Sequence, residues 1–148
     1  MKVRNVLTGL IVSAVLVGVV SCGSGSGDYG QPPAGGGGQT PLEPTLDSIQ
    51  ANVFSVYCVG CHAGAGAPQG LQLESASLSY ANLVNVPVPR DTSQVRVKPF
   101  EPDNSFLIRK LEYPQGTIGA RMPLNQPPLD PSMIAVIRQW ITNGALEH

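Results

Sequence analysis

The chain has 148 residues, of which 13% are charged, and carries a net charge of −1 at pH 7. That length holds one domain and excludes a large multidomain enzyme. The lack of a basic surplus argues against nucleic-acid binding. Glycine and proline number 17 and 14, and ten of the glycines lie within the first 38 residues. The first twenty residues are mostly aliphatic and the next two dozen mostly Gly, Ser and Pro, so about a hundred residues remain to carry a fold.

Residues 1–21 read as an export address. Lys2 and Arg4 form a basic start, and Val6 to Val20 are apolar apart from Thr8, Ser13 and two glycines. The run is short for a spanning helix, which needs about 20 apolar residues. It ends in Val19-Val20-Ser21-Cys22, which resembles the bacterial lipobox, with Val19 in place of the usual Leu. That resemblance implies that Cys22 is lipidated and becomes the mature N-terminus. An ordinary signal peptide and an uncleaved anchor are the alternatives, and each puts the domain outside the cytoplasm. Loss of Lys2 and Arg4 leaves seven basic against ten acidic residues. The mature charge is then −3, which gives no help to attachment on anionic lipid. Residues 22–44 form a Gly/Ser/Pro-rich tether, about 25 Å long on root-mean-square average. It serves as a leash for reaching partners, or as a plain spacer.

Residues 45–148 carry the domain. Thr45 is an N-cap signal, and Leu46, Ile49, Val53 and Val56 or Tyr57 fall on one helical stripe over Leu46 to Tyr57. This helix runs directly into Cys58-Val59-Gly60-Cys61-His62. The C-x-x-C-H string is the attachment signature of c-type haem. Two thiols at that spacing reach the two vinyl groups on one porphyrin edge, and the adjacent histidine supplies an imidazole to the iron. Three other uses of the string compete with this one. A thioredoxin-like redox pair sits after a strand in a βαβ unit, which is missing here. A zinc site needs four ligands, and only Cys58, Cys61, His62 and His148 are at hand. A disulfide across two residues is strained.

Ala63 to Pro68 reads as a loop of small residues, and Gly70-Leu71-Gln72-Leu73 as a short segment packed on a haem edge. Ser77 to Val84 is a short helix, ended by Val86-Pro87-Val88-Pro89. Pro102-Asp103-Asn104-Ser105 starts another, with Phe106, Leu107, Ile108 and Leu111 as its apolar content and Tyr113-Pro114 as its stop. Met122 stands in a Gly/Pro-rich loop before Pro123. A thioether is a soft ligand that binds haem iron and raises its potential; the alternative is a gap-filling core methionine. Asp130-Pro131 opens the last helix with a cap and a first-turn proline. Met133, Ile134, Ile137, Trp140 and Ile141 form its apolar face, and Asn143-Gly144 closes it. Met133 is read as core and His148 as a frayed terminal residue.

These strings, with Arg96-Val97-Lys98-Pro99, Arg121-Met122-Pro123 and Trp140-Ile141 through Gly144-Ala145, resemble single-haem, class I-like cytochrome c domains of exported bacterial proteins. The resemblance covers about residues 45–146. It implies an all-α fold, a small cytochrome c-like set of helices wrapped around one covalently attached haem. The first and last helices would cross, so that Trp140 and Ile137 meet Val53 or Phe54. It also implies heme c and its iron as cofactor, with His62 and Met122 as axial ligands. The function implied is electron transfer between redox partner proteins of the cell envelope. The domain would face the periplasm or cell exterior, held to the membrane by its N-terminal lipid. A haem-based sensor or docking subunit is the alternative, and a small haem peroxidase a more distant one. Arg90, Arg96, Lys98 and Arg121 are candidate partners for the haem propionates, Arg121 foremost, with Tyr57 and Tyr80 as hydroxyl donors. A core with 5% aromatic residues would also gain from a large apolar cofactor.

Overall fold

The computed structural model describes residues 41–148. The export segment 1–21, Cys22 and most of the tether lie outside the described residues. Among those described, no helix is long and apolar enough to cross a membrane.

Helix α1 (Leu46–Ile49) starts where Thr45 takes an N-cap hydrogen bond from the Ser48 amide. The chain then continues without a break as a π-helix over Gln50–Cys58. Its wider hydrogen bonding is seen where the Val59 amide reaches back five residues to the Phe54 carbonyl, at 3.0 Å. The sequence stripe assumed an ordinary α-helix. The wider turn rotates the buried face, so Val53 and Phe54 enter the core while Val56 is 62% exposed. Such π segments are rare and often mark functional sites.

Helix α2 (Ala76–Leu83) is capped by the Ser75 hydroxyl. Strand β1 (Pro87–Val88) follows and pairs antiparallel with β2 (Asp91–Val95). This hairpin overturns the all-α expectation: under half of the described residues are helical, and the domain includes a two-stranded sheet. Pro87 and Pro89 read as helix breakers, and they equally suit an edge strand, where a missing amide hydrogen costs no ladder bond. The hairpin is also tied to its neighbours, since the Val97 amide donates to Leu83 and the Leu107 amide to Arg96.

Helix α3 (Phe106–Glu112) follows a 3-10 turn at Pro102–Asn104 and stops at Tyr113 in the left-handed region. Helix α4 (Pro131–Thr142) begins at Asp130, whose carboxylate accepts from the Ser132 amide, with Pro131 in its first turn. One core joins Leu46, Ile49, Val53 and Phe54 to Leu73, Leu83, Val97, Ile108 and Leu111, and to Ile134, Ile137, Trp140 and Ile141 of α4. Arg138 adds an outer tie from α4 to Asp103 and, at 3.3 Å, to Glu112 at the end of α3.

Gly144 closes α4 with φ of +104°. A Cβ there would lie 2.8 Å from the Phe100 ring. Phe100 is itself anchored, its amide donating to the Ile141 carbonyl at 2.8 Å. Gly144→Ala therefore meets both backbone strain and a blocked position. We expect a loss of about 1–2 kcal/mol, because the exposed Phe100 ring can swing aside and relieve part of the clash. A urea midpoint lowered at unchanged slope would show it.

Candidate functional site

The Cys-Val-Gly-Cys-His string sits on the last residue of the π-helix and the turn behind it. The Cys61 and His62 amides both donate to the Cys58 carbonyl, at 3.1 and 2.9 Å. The turn is then pinned from the other side: the Leu73 amide donates to the His62 carbonyl at 2.8 Å, and the Gly64 amide to the Glu74 carboxylate at 2.5 Å. The expected Gly70–Leu73 segment thus runs beside the histidine at its Leu73 end.

Cys58 is a free, half-buried thiol. Burial pushes its pKa up to about 12, so at neutral pH it is protonated and a poor nucleophile. Cys61 is disulfide-bonded. Because Cys58 is free, the two cysteines of the string are not joined to each other, which removes the strained two-residue disulfide.

His62 is half-buried, and burial, reinforced by the Arg96 charge, holds its pKa below the ordinary imidazole value; the nearby Leu71 backbone opposes this. The ring is therefore neutral at pH 7, the form that binds a metal. Its Nδ1 is buried without a hydrogen bond of normal geometry.

Gln50 belongs to no motif in the sequence. It lies on the apolar stripe at 7% exposure. Its amide donates to the Leu73 carbonyl at 2.8 Å, and its carbonyl accepts from the buried Ser79 hydroxyl at 2.6 Å. The π-helix, the segment beside His62 and α2 are thereby locked together. A glutamine between Ile49 and Val53 is the only sequence signal for this. Gln50→Leu keeps the shape but strands two buried polar groups, so it should cost about 1–3 kcal/mol. Adding Ser79→Ala should recover part of that loss in chemical denaturation.

Met122 lies in the loop between α3 and α4, half-buried against the same core as Tyr57, Cys58, Leu71 and Tyr80. Its amide donates to the Lys110 carbonyl at 2.8 Å, and its bond to Pro123 is cis. No hydrogen bond among the described residues links this loop directly to the Cys58–His62 turn; what they share is the core surface.

The four cations separate clearly. Lys98 pairs with Glu101 at 2.7 Å, and Arg90 is exposed. Arg96 is buried with its guanidinium donating to the Asn82 and Gln69 carbonyls, at 2.8 and 2.6 Å. Arg121 donates one nitrogen to the Gln126 carbonyl at 2.7 Å, while its Nη1 is buried with no partner. The Tyr57 and Tyr80 hydroxyls make no hydrogen bond among the described residues. Met133 is half-buried on α4 and His148 is exposed. No group of three or more His, Cys, Asp or Glu side chains is gathered among the described residues, so a tetrahedral zinc set is not assembled there.

No family model, curated protein or solved structure matches the chain.

Proposed function

We propose that the protein is a c-type haem electron carrier, exported and held to the cell envelope by a lipid on Cys22. The observation that carries this is the C-x-x-C-H string, set at a helix end with a neutral, half-buried His62. The chain's residues fit the group in two further respects. The buried orphan nitrogen of Arg121 offers a charge-assisted donor to a propionate. Met122 is a soft ligand in a loop bonded to α3.

Cys58 and Cys61 would hold the haem by thioether bonds, with His62 and Met122 as axial ligands. The bound haem supplies one-electron chemistry at iron. The chain's own part is to bind, orient and shield. The turn held by Leu73 and Glu74 fixes the imidazole, and the core beneath Cys58 and Met122 excludes water. A thioether at Cys61 and a disulfide at Cys61 would use the same sulfur, so the two states exclude one another.

The test is expression of the full chain in a host that matures c-type cytochromes. One haem per chain, resistant to acid–acetone extraction, is expected. Replacing Cys58 and Cys61 together by Ser should abolish covalent retention. A chain that leaves such a host without haem refutes the proposal. Carbon monoxide binding to the reduced wild type at neutral pH would transfer the assignment to a sensor.

A further inference from the structure

Helix α3 ends at Glu112, ahead of the 118–122 loop, and Lys110 ties the two together. The Lys110 carbonyl, one of the C-terminal carbonyls that a helix leaves without an internal partner, accepts from the Met122 amide at 2.8 Å. The Lys110 ammonium donates to the Ile118 carbonyl at 3.1 Å and also to the Ala120 carbonyl. It makes no ion pair with a carboxylate among the described residues. Its charge is instead satisfied by carbonyl dipoles and by the face of the Phe106 ring, 5.8 Å away. Close by, the Tyr113 hydroxyl donates to the Gly119 carbonyl at 2.7 Å.

We propose that Lys110 is the positioning residue for Met122: its backbone and its ammonium together clamp the 118–122 loop onto α3 and so fix where the thioether sits. This rests on Met122 being an axial ligand. The chemistry explains the choice of lysine. An ammonium has three donors on a flexible stem and can serve several carbonyls of one loop. Gly119, at φ of +75°, leaves the space: a Cβ there would come within 3.3 Å of the Lys110 nitrogen. The loop has few apolar anchors of its own, since Ile118, Gly119 and Ala120 are exposed. Without the ammonium, the hydrogen bonds among the described residues that still tie it to α3 and its end are those of the Met122 amide and the Tyr113 hydroxyl.

The test uses the full haem-loaded chain and compares Lys110→Met, Lys110→Arg, Tyr113→Phe and Met122→Ala. Lys110→Met keeps the stem and removes the donors. It should weaken the red charge-transfer band of the oxidised form by more than half. It should also open the reduced form to carbon monoxide and speed hydrogen exchange of the Met122 amide at least tenfold. Lys110→Arg should restore much of each signal, and Tyr113→Phe should move them in the same direction by less. Unchanged band and unchanged exchange in Lys110→Met overturn the proposal. A spectrally silent Met122→Ala overturns the ligation reading instead, and the role of Lys110 falls with it even where the loop loosens.

Discussion

Met122→Ala is expected to give a protein that still holds its haem covalently but has lost the red charge-transfer band. Its reduction potential should fall by something on the order of 0.1 V, a fraction of the roughly 0.8 V that axial ligation spans. The sign follows from the ligand. A soft thioether favours the ferrous state, and removing it leaves water or a harder group that favours ferric iron. Carbon monoxide should then bind the reduced form at neutral pH. The fold should be little affected, because Met122 is only half-buried and the loop is held through the Met122 amide and the Lys110 ammonium. Met133→Ala is the matched control. That side chain is a half-buried neighbour of the core on α4, so it should lower stability and leave the band and the potential where they are. A potential unchanged in Met122→Ala and lowered in Met133→Ala would exchange the two roles.

Periodic and capping signals carried most of the helical layout. Asp130-Pro131 and Asn143-Gly144 bracket α4 because each acts locally: a carboxylate takes an amide, a proline needs no donor, and a glycine accepts positive φ. The hairpin was not legible for an equally local reason. Val86 to Pro89 contains two prolines, and a two-residue strand becomes a strand only through its partner, Asp91–Val95. The π-helix was hidden because its turn changes which residues are buried without changing their composition. Phe54 replaces Val56 in the core, and nothing in the spacing announces the exchange. The candidate site divides in the same way. Cys58, Cys61 and His62 fall within five consecutive residues and are visible at once. Gln50 and Lys110 depend on what the fold brings to each side chain, and for Arg121, already placed first by its position beside Met122, the fold adds a physical ground. An unpartnered guanidinium nitrogen exists only in three dimensions.

Trp140→Ala should be the most damaging single change to the fold. Among the described residues Trp140 is the largest fully buried side chain, and Phe54 is the one other aromatic that is fully buried. Its indole nitrogen also donates to the Leu146 carbonyl at 2.8 Å, which fastens the segment after α4. Removing the ring empties a site walled by rigid elements, at a cost of about 3–5 kcal/mol. Domains of this size are stable by only about 5–15 kcal/mol, so a large part of the total would be lost. Trp140→Phe separates the contributions: it keeps most of the apolar area, forfeits the hydrogen bond to Leu146, and should cost about 1–2 kcal/mol. Denaturant titrations of both variants, made on the haem-loaded chain and on the Cys58/Cys61 double Ser chain, add a further comparison. With so few rings in the core, a covalently held haem would supply apolar area that the side chains lack. The loaded wild type should then be the more stable, and the Trp140→Ala chain should retain a cooperative transition only when loaded. Equal stability of the two forms would mean that the fold does not use the haem as core, and that the group stands on its surface.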